Sequence, residues 1–266
     1  MSFSKDVACI IAEYLAKYQL LDWININRLN WHCLSLNPNA IDLLLAHPDK
    51  IDWKFLSANT SAIDLLIANQ KRINWRWLAT NPSAIDILLA NPDRIHWYWL
   101  SENPVAMDLL LANPDKINWR WFSANPSAIE SIKDNLDKIN WYYLSGNPAA
   151  IDILLANPNN IYWEEFSKNP AAINILKANV DKIRWHSLSM NSAAIELLEA
   201  NQDKINWHWL SFNKSIFELK INPKLVDKLL EIKHADNFLK HILLAGMLVC
   251  GITKNIYSLL IKQASK

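Results

Sequence analysis

Glycine is almost missing from this chain, with three residues in 266. Turns that need a positive φ must therefore be rare or be made by asparagine. Cysteine is equally sparse. Cys9, Cys33 and Cys250 are far apart and form no Cys-x-x-Cys pair, which argues against a disulfide framework or a cysteine zinc site and for a reducing, intracellular compartment. Long apolar runs are lacking too. The longest, Ile242 to Ile252, has eleven residues, against the ~20 of a membrane-spanning helix. No apolar h-region follows Ser4-Lys5-Asp6, so no secretory signal peptide is expected. Neither sign of charge dominates: 27 Lys and Arg against 26 Asp and Glu leave a net +1, with no general pull toward nucleic acid or anionic membrane. HExxH, GxSxG, P-loop and GxGxxG signatures are all missing, and the seven histidines occur singly. The expectation is a non-enzymatic protein without cofactor or metal.

What the chain has is period. Trp31, Trp53, Trp75, Trp97, Trp119, Trp141, Trp163, Trp185 and Trp207 stand 22 residues apart, and Asn37 through Asn213 keep the same step, with no insertion or deletion. A second row runs His47, Asn69, Asn91 and on to Asn201. A fixed short period marks stacked repeats.

Within one unit, Asn81-Pro82 suits a helix start. The Asn side chain can accept from open backbone N–H groups, and Pro costs nothing at the first helical position. Asn91-Pro92 repeats this logic, with Asp93 in the first turn facing the helix dipole. The spacing predicts two short helices, one from Pro82 to about Ala90 and one through Ile95, Trp97 and Leu100 to about Ser101. A leucine-rich horseshoe has a similar period, but no alternating strand pattern appears. The fold class is all-α: an α-solenoid of about nine 22-residue two-helix repeats with helical caps at both ends. Residues 1–28 form an N-terminal cap, 29–213 the solenoid and 214–266 a C-terminal cap or tail.

A helical wheel places the Trp97 row in the core and leaves the arc of Tyr98 and Ser101 open. It also gives an acidic row through Asp86 and a basic row through Arg94, which pair or stay solvated. The row two residues after each Trp is aromatic from Phe55 to Tyr143, an inter-unit ladder. The row directly after each Trp varies most: Lys54, Arg76, Tyr98, Arg120, Tyr142, Glu164, His186 and His208. Variable exposed positions of repeat proteins can carry partner specificity, and Tyr and Arg are enriched in interface hot spots. This ridge is the candidate site for a protein partner. The acidic stripe and near-zero charge speak against nucleic acid. The apolar tail after residue 235 is a candidate for self-association.

The phrase Ile-x-Trp-x-x-Leu-Ser-x-Asn-Pro-x-Ala-Ile-x-Leu-Leu, present at residues 95–110 and 139–154, resembles a tandem repeat of proteins encoded by giant, nucleocytoplasmic large DNA viruses. The resemblance covers residues 18 to about 213. It implies a viral origin and expression in an infected cell, in the host cytoplasm or the virion, and it implies no activity. A structural role in a virion or viral factory is a second reading. A third is an F-box-like adaptor, from a faint resemblance in residues 6–23 that lacks the usual Leu-Pro start.

Overall fold

A computed structural model describes residues 16–221. They fall into two compact units. One runs Leu21–Ile216; of the other, residues 16–20 and 217–221 are described.

The Leu21–Ile216 unit is helical repeat throughout. Asn81 is extended (φ −81°, ψ 110°) and its side chain accepts from the Ser83 N–H. A 3-10 turn, Pro82–Ala84, leads into the α-helix Ile85–Leu89. A second 3-10 turn, Pro92–Arg94, precedes the Trp helix Trp97–Leu100. The expected second helix is thus broken. Ile95 is extended (φ −69°, ψ 120°), and the Trp helix starts afresh behind a third capping row. In that row Asn30, Asp52, Asn74, Asn118, Asn140 and Asn206 accept from backbone N–H groups of the first turn. These polar residues before each Trp are readable in the sequence, and they overrule the helix drawn through them.

The two Asn-Pro rows also differ in role. Asn91 makes no cap to the turn after it. Its amide donates back to the Ile87 carbonyl at 2.9 Å, and Asn69, Asn113, Asn135, Asn157, Asn179 and Asn201 do the same. Each closes the helix before it rather than opening the next, because it stands directly after a helix whose last carbonyls need donors.

Helices of four to six residues are not stable alone; the joints between units supply what they lack. Each Asn of the first row is fully buried, and its amide donates to two carbonyls of the preceding unit. Asn125, for example, reaches the Ser101 and Asn103 carbonyls at 3.1 and 3.0 Å. Asn37, the first of the row, donates to the carbonyls of Ser211 and Asn213 at 3.0 and 3.1 Å. Those are the two positions that the register assigns if nine units form a closed circle. Three further contacts repeat the closure. The Asn30 N–H donates to Ser211 Oγ, the Leu21 N–H donates to the Ile216 carbonyl, and Arg28 lies 4.1 Å over the Trp207 ring. Head-to-tail interfaces make a ring when the rotation closes. The α-solenoid of nine repeats is a ring, and it needs no free end to cap.

A serine ladder runs beside the asparagine one. Ser57 Oγ donates to the Trp53 carbonyl and accepts from the Asn74 N–H, at 2.7 and 2.9 Å. The row has one gap: Ala79, fully buried, stands where the other units have Ser, so the His96 N–H lacks this acceptor. Ala79→Ser should restore the bond and stabilise the ring by about 1 kcal/mol, a rise of roughly 2–4 °C in thermal midpoint. Circular dichroism melts of both proteins would check it.

The core corrects the wheel. The fully buried rows are those of Leu100, Leu88 and Ala84, with Ser101 and Asn103. Each buried leucine is worth ~1.5–3 kcal/mol. Ser101, expected open, is buried. Trp97, expected in the core, is half-buried like the rest of its row. Leu89, apolar though it is, stands 54% exposed; the 3-10 turn at Pro82–Ala84 shifts the phase on which a helical wheel relies. The tryptophans lie along the seams between units, and cations of the following unit cover them. Arg72 sits 4.7 Å over Trp53, Arg94 4.8 Å over Trp75 and Lys204 4.4 Å over Trp185. The basic row therefore serves the tryptophans. Among the described residues, no ion pair joins it to the acidic row.

In the other unit, β1 (Ala16–Leu20) pairs antiparallel with β2 (Phe217–Ile221), with Tyr18 opposite Leu219. Within the expected helical cap of residues 1–28, Ala16–Leu20 is thus strand, and Tyr18 to Leu20 of the F-box-like stretch lie in it. β2 stands in the sequence where a ninth copy of the Ile85–Leu89 helix would fall. The apolar tail lies outside the described residues. Among these, no helix is long and apolar enough to cross a membrane.

Candidate interaction collar and lumen

A closed circle has an inside, and the contacts that skip a unit reveal which rows face it. Phe55 meets Phe212 with ring centroids 6.2 Å apart, across the first unit. Lys168 Nζ lies 5.9 Å from the Trp209 ring, across the eighth. The Glu165 charge acts on Glu102, three units away. Only side chains directed at the axis can meet in this way. The lumen is therefore lined by the aromatic row and by the row three residues after it: Leu36, Ala58, Thr80, Glu102, Ala124, Gly146, Lys168, Met190 and Phe212.

The aromatic row forms an inter-unit ladder there. Centroids step 5.0 Å from Phe55 to Trp77, 5.9 Å to Trp99, 4.5 Å to Trp121 and 4.8 Å to Tyr143. Steps this short, taken around a nine-unit circle, leave little room at the centre beyond the side chains themselves. Glu102 is half-buried in that space. Burial first, and then the charge of Glu165, push its carboxyl up to about 7. Glu165 itself is held by Lys168 Nζ at 2.5 Å. The sequence reading missed this row because no residue type dominates it. Its variability, the property that singled out the ridge, was the available signal.

The ridge residues lie beside the lumen, and Lys54, Arg76, Tyr98 and Arg120 lean forward onto the aromatic row of the next unit. Lys54 Nζ is 5.7 Å from the Trp77 ring, Arg76 is 4.6 Å over Trp99 and Arg120 is 4.9 Å over Tyr143. Arg120 Nη2 also donates to the Tyr143 hydroxyl at 2.7 Å. Tyr98 packs edge-on against Trp121, with centroids 5.9 Å apart. Ridge and ladder together make a collar around the axis.

The collar has two unlike arcs. Lys54, Arg76, Tyr98 and Arg120 are exposed, and among the described residues none of the three cations has a carboxylate partner. From Tyr142 onward the residues turn to local partners. Tyr142 is half-buried, and its hydroxyl is pushed above its ordinary range by burial and by a hydrogen bond to Glu165. Glu164 lies 3.8 Å from His186. His208 Nε2 is 3.5 Å from the sulfur of Cys33, whose thiol burial pushes up to about 12.

Away from the collar, shallow clefts lie between units. One of about 610 Å³ is lined by residues 29–32 and 49–53, and one of about 210 Å³ lies around Ile73, Trp75 and Arg94. Their linings belong mostly to rows that every unit repeats, so they follow from the repeat itself. Among the described residues, no three His, Cys, Asp or Glu side chains converge as metal ligands would. Comparison with family models, curated proteins and solved structures finds no match to this chain.

Proposed function

We propose that this ring is a non-enzymatic scaffold that binds a protein partner at its collar. The observation that carries the reading is a contrast between rows. The rows of Leu100, Ala84, Ser101 and Asn103 are locked by packing and by two hydrogen-bonded ladders. The ridge beside the lumen is exposed, differs from unit to unit and is free of those constraints. Rigid elements that present exposed Tyr and Arg suit recognition without chemistry. With the resemblance to giant-virus repeat proteins, the partner belongs to an infected cell.

Changing Arg76, Tyr98, Arg120 and Tyr142 together to Ala should abolish capture of partners from such cells. The far-UV circular dichroism of the ring should stay unchanged, because none of the four is part of a ladder. Undiminished capture by a folded variant would defeat the proposal.

A further inference from the structure

We infer that the occupant of the collar is an acidic, extended protein segment, seated on the arc from Lys54 to Arg120. This rests on reading the collar as a binding surface, and it names the chemistry of the partner.

Three observations carry it. First, the arc concentrates charge that the ring leaves uncompensated. Lys50, Lys116 and Lys133 each have a nearby carboxylate. Among the described residues Lys54, Arg76 and Arg120 have none, and the side-chain partner of Arg120 is the neutral Tyr143 hydroxyl. Second, these cations are held in place beforehand. The Arg76 guanidinium carbon lies 4.6 Å over the Trp99 ring, and the planar N–H fork of an arginine can take a carboxylate in two parallel bonds. Arg120 spends one donor on Tyr143 and keeps the rest. Tyr98, 42% exposed between them, adds a hydroxyl. Ordering long side chains is a main cost of binding charge, and here the ladder has already met it. Third, the arc is bounded: beyond Tyr142 the collar turns acidic at Glu164, which repels a polyanion carried further round.

The same features disfavour single-stranded nucleic acid. Binding of that kind stacks bases on free aromatic faces. Here the rings stack on one another, and Lys54, Arg76 and Arg120 cover them.

The test uses the full chain and fluorescence anisotropy with three labelled probes: a short peptide of alternating Glu and Ser, its Lys-for-Glu counterpart, and an oligothymidylate of matching length. The acidic peptide alone should bind, and its affinity should fall as salt rises. The variant K54Q/R76Q/R120Q should weaken it roughly tenfold or more, a loss of about 1.4 kcal/mol or greater, while K50Q/K116Q should leave it unchanged. Equal binding by the triple variant, binding of the basic peptide, or no binding at all would overturn the inference. Collar-dependent binding of the oligonucleotide instead would assign the arc to nucleic acid. If partner capture still requires Arg76, Tyr98, Arg120 and Tyr142 while the acidic peptide fails, the scaffold reading stands and the acidic occupant falls. If capture is indifferent to those four residues, both fall.

Discussion

Asn125→Leu should take away most of the stability of the ring, although the substitution nearly conserves volume and touches no ligand. Leucine cannot donate to the Ser101 and Asn103 carbonyls, nor accept from the Ser127 N–H. The amide that made those bonds is fully buried. A buried polar group stripped of its partner costs about 1–3 kcal/mol. Two carbonyls and one amide add up to roughly 3–9 kcal/mol, against a total of about 5–15 for an ordinary domain. The informative control is Asn113→Leu. Asn113 follows Pro-less Ala112 as Asn125 follows Ala124 and also precedes a proline, but it makes one bond, to the Leu109 carbonyl at the end of a helix, and it is half-buried. Its loss should cost about 1 kcal/mol or less. Urea unfolding of the two variants would separate them; equal losses would mean that the buried ladder is not what joins the units.

The second large effect depends on pH. Glu102 has its folded carboxyl raised to about 7 from an ordinary 4.5. Between those values the folded ring holds a proton that the unfolded chain has released. Stability must therefore fall as pH rises through that window, and level off above it. Gln imitates the protonated acid, so Glu102→Gln should flatten this part of the profile. Above pH 7 the variant should be more stable than the parent by on the order of 2–3 kcal/mol. At pH 4.5 the two should be equal. Every other group is common to both proteins and cancels in the difference. Unfolding curves at the two ends of the window decide the matter, and a difference independent of pH would refute the lumen electrostatics.

The unit length and its helical character were legible because Asn-Pro punctuation is local physics: capping and proline geometry act within a few residues. Position within the unit was harder. Trp97 repeats without exception, and constancy suggests a core. The less constant rows of Leu100 and Ser101, interrupted by Phe122, Phe166 and Ala79, are the buried ones, and Trp97 seals the seam outside them. Asn81 and Asn91 look alike as dipeptides with proline, yet one joins units and the other ends a helix. The difference lies in what precedes them in space. The ridge was legible as a variable row. That Tyr142 turns toward Glu165 while Arg120 stays outside was not, because the pairing depends on which side chains face each other between neighbouring units. Closure was the least legible feature. The rotation from unit to unit is a property of packing that no 22-residue phrase spells out.

Closure also gives a reason for the unbroken register. An open stack can gain or lose a copy at small cost, since each unit touches only its neighbours. In the ring, an added or missing copy would leave Asn37 without the carbonyls of Ser211 and Asn213, and every other joint would have to bend to compensate. Copy number is thus a conserved quantity of the architecture, and divergence is confined to what each seat displays. The collar is an address with nine fixed seats, in which a change of recognition must be written by substitution and never by lengthening.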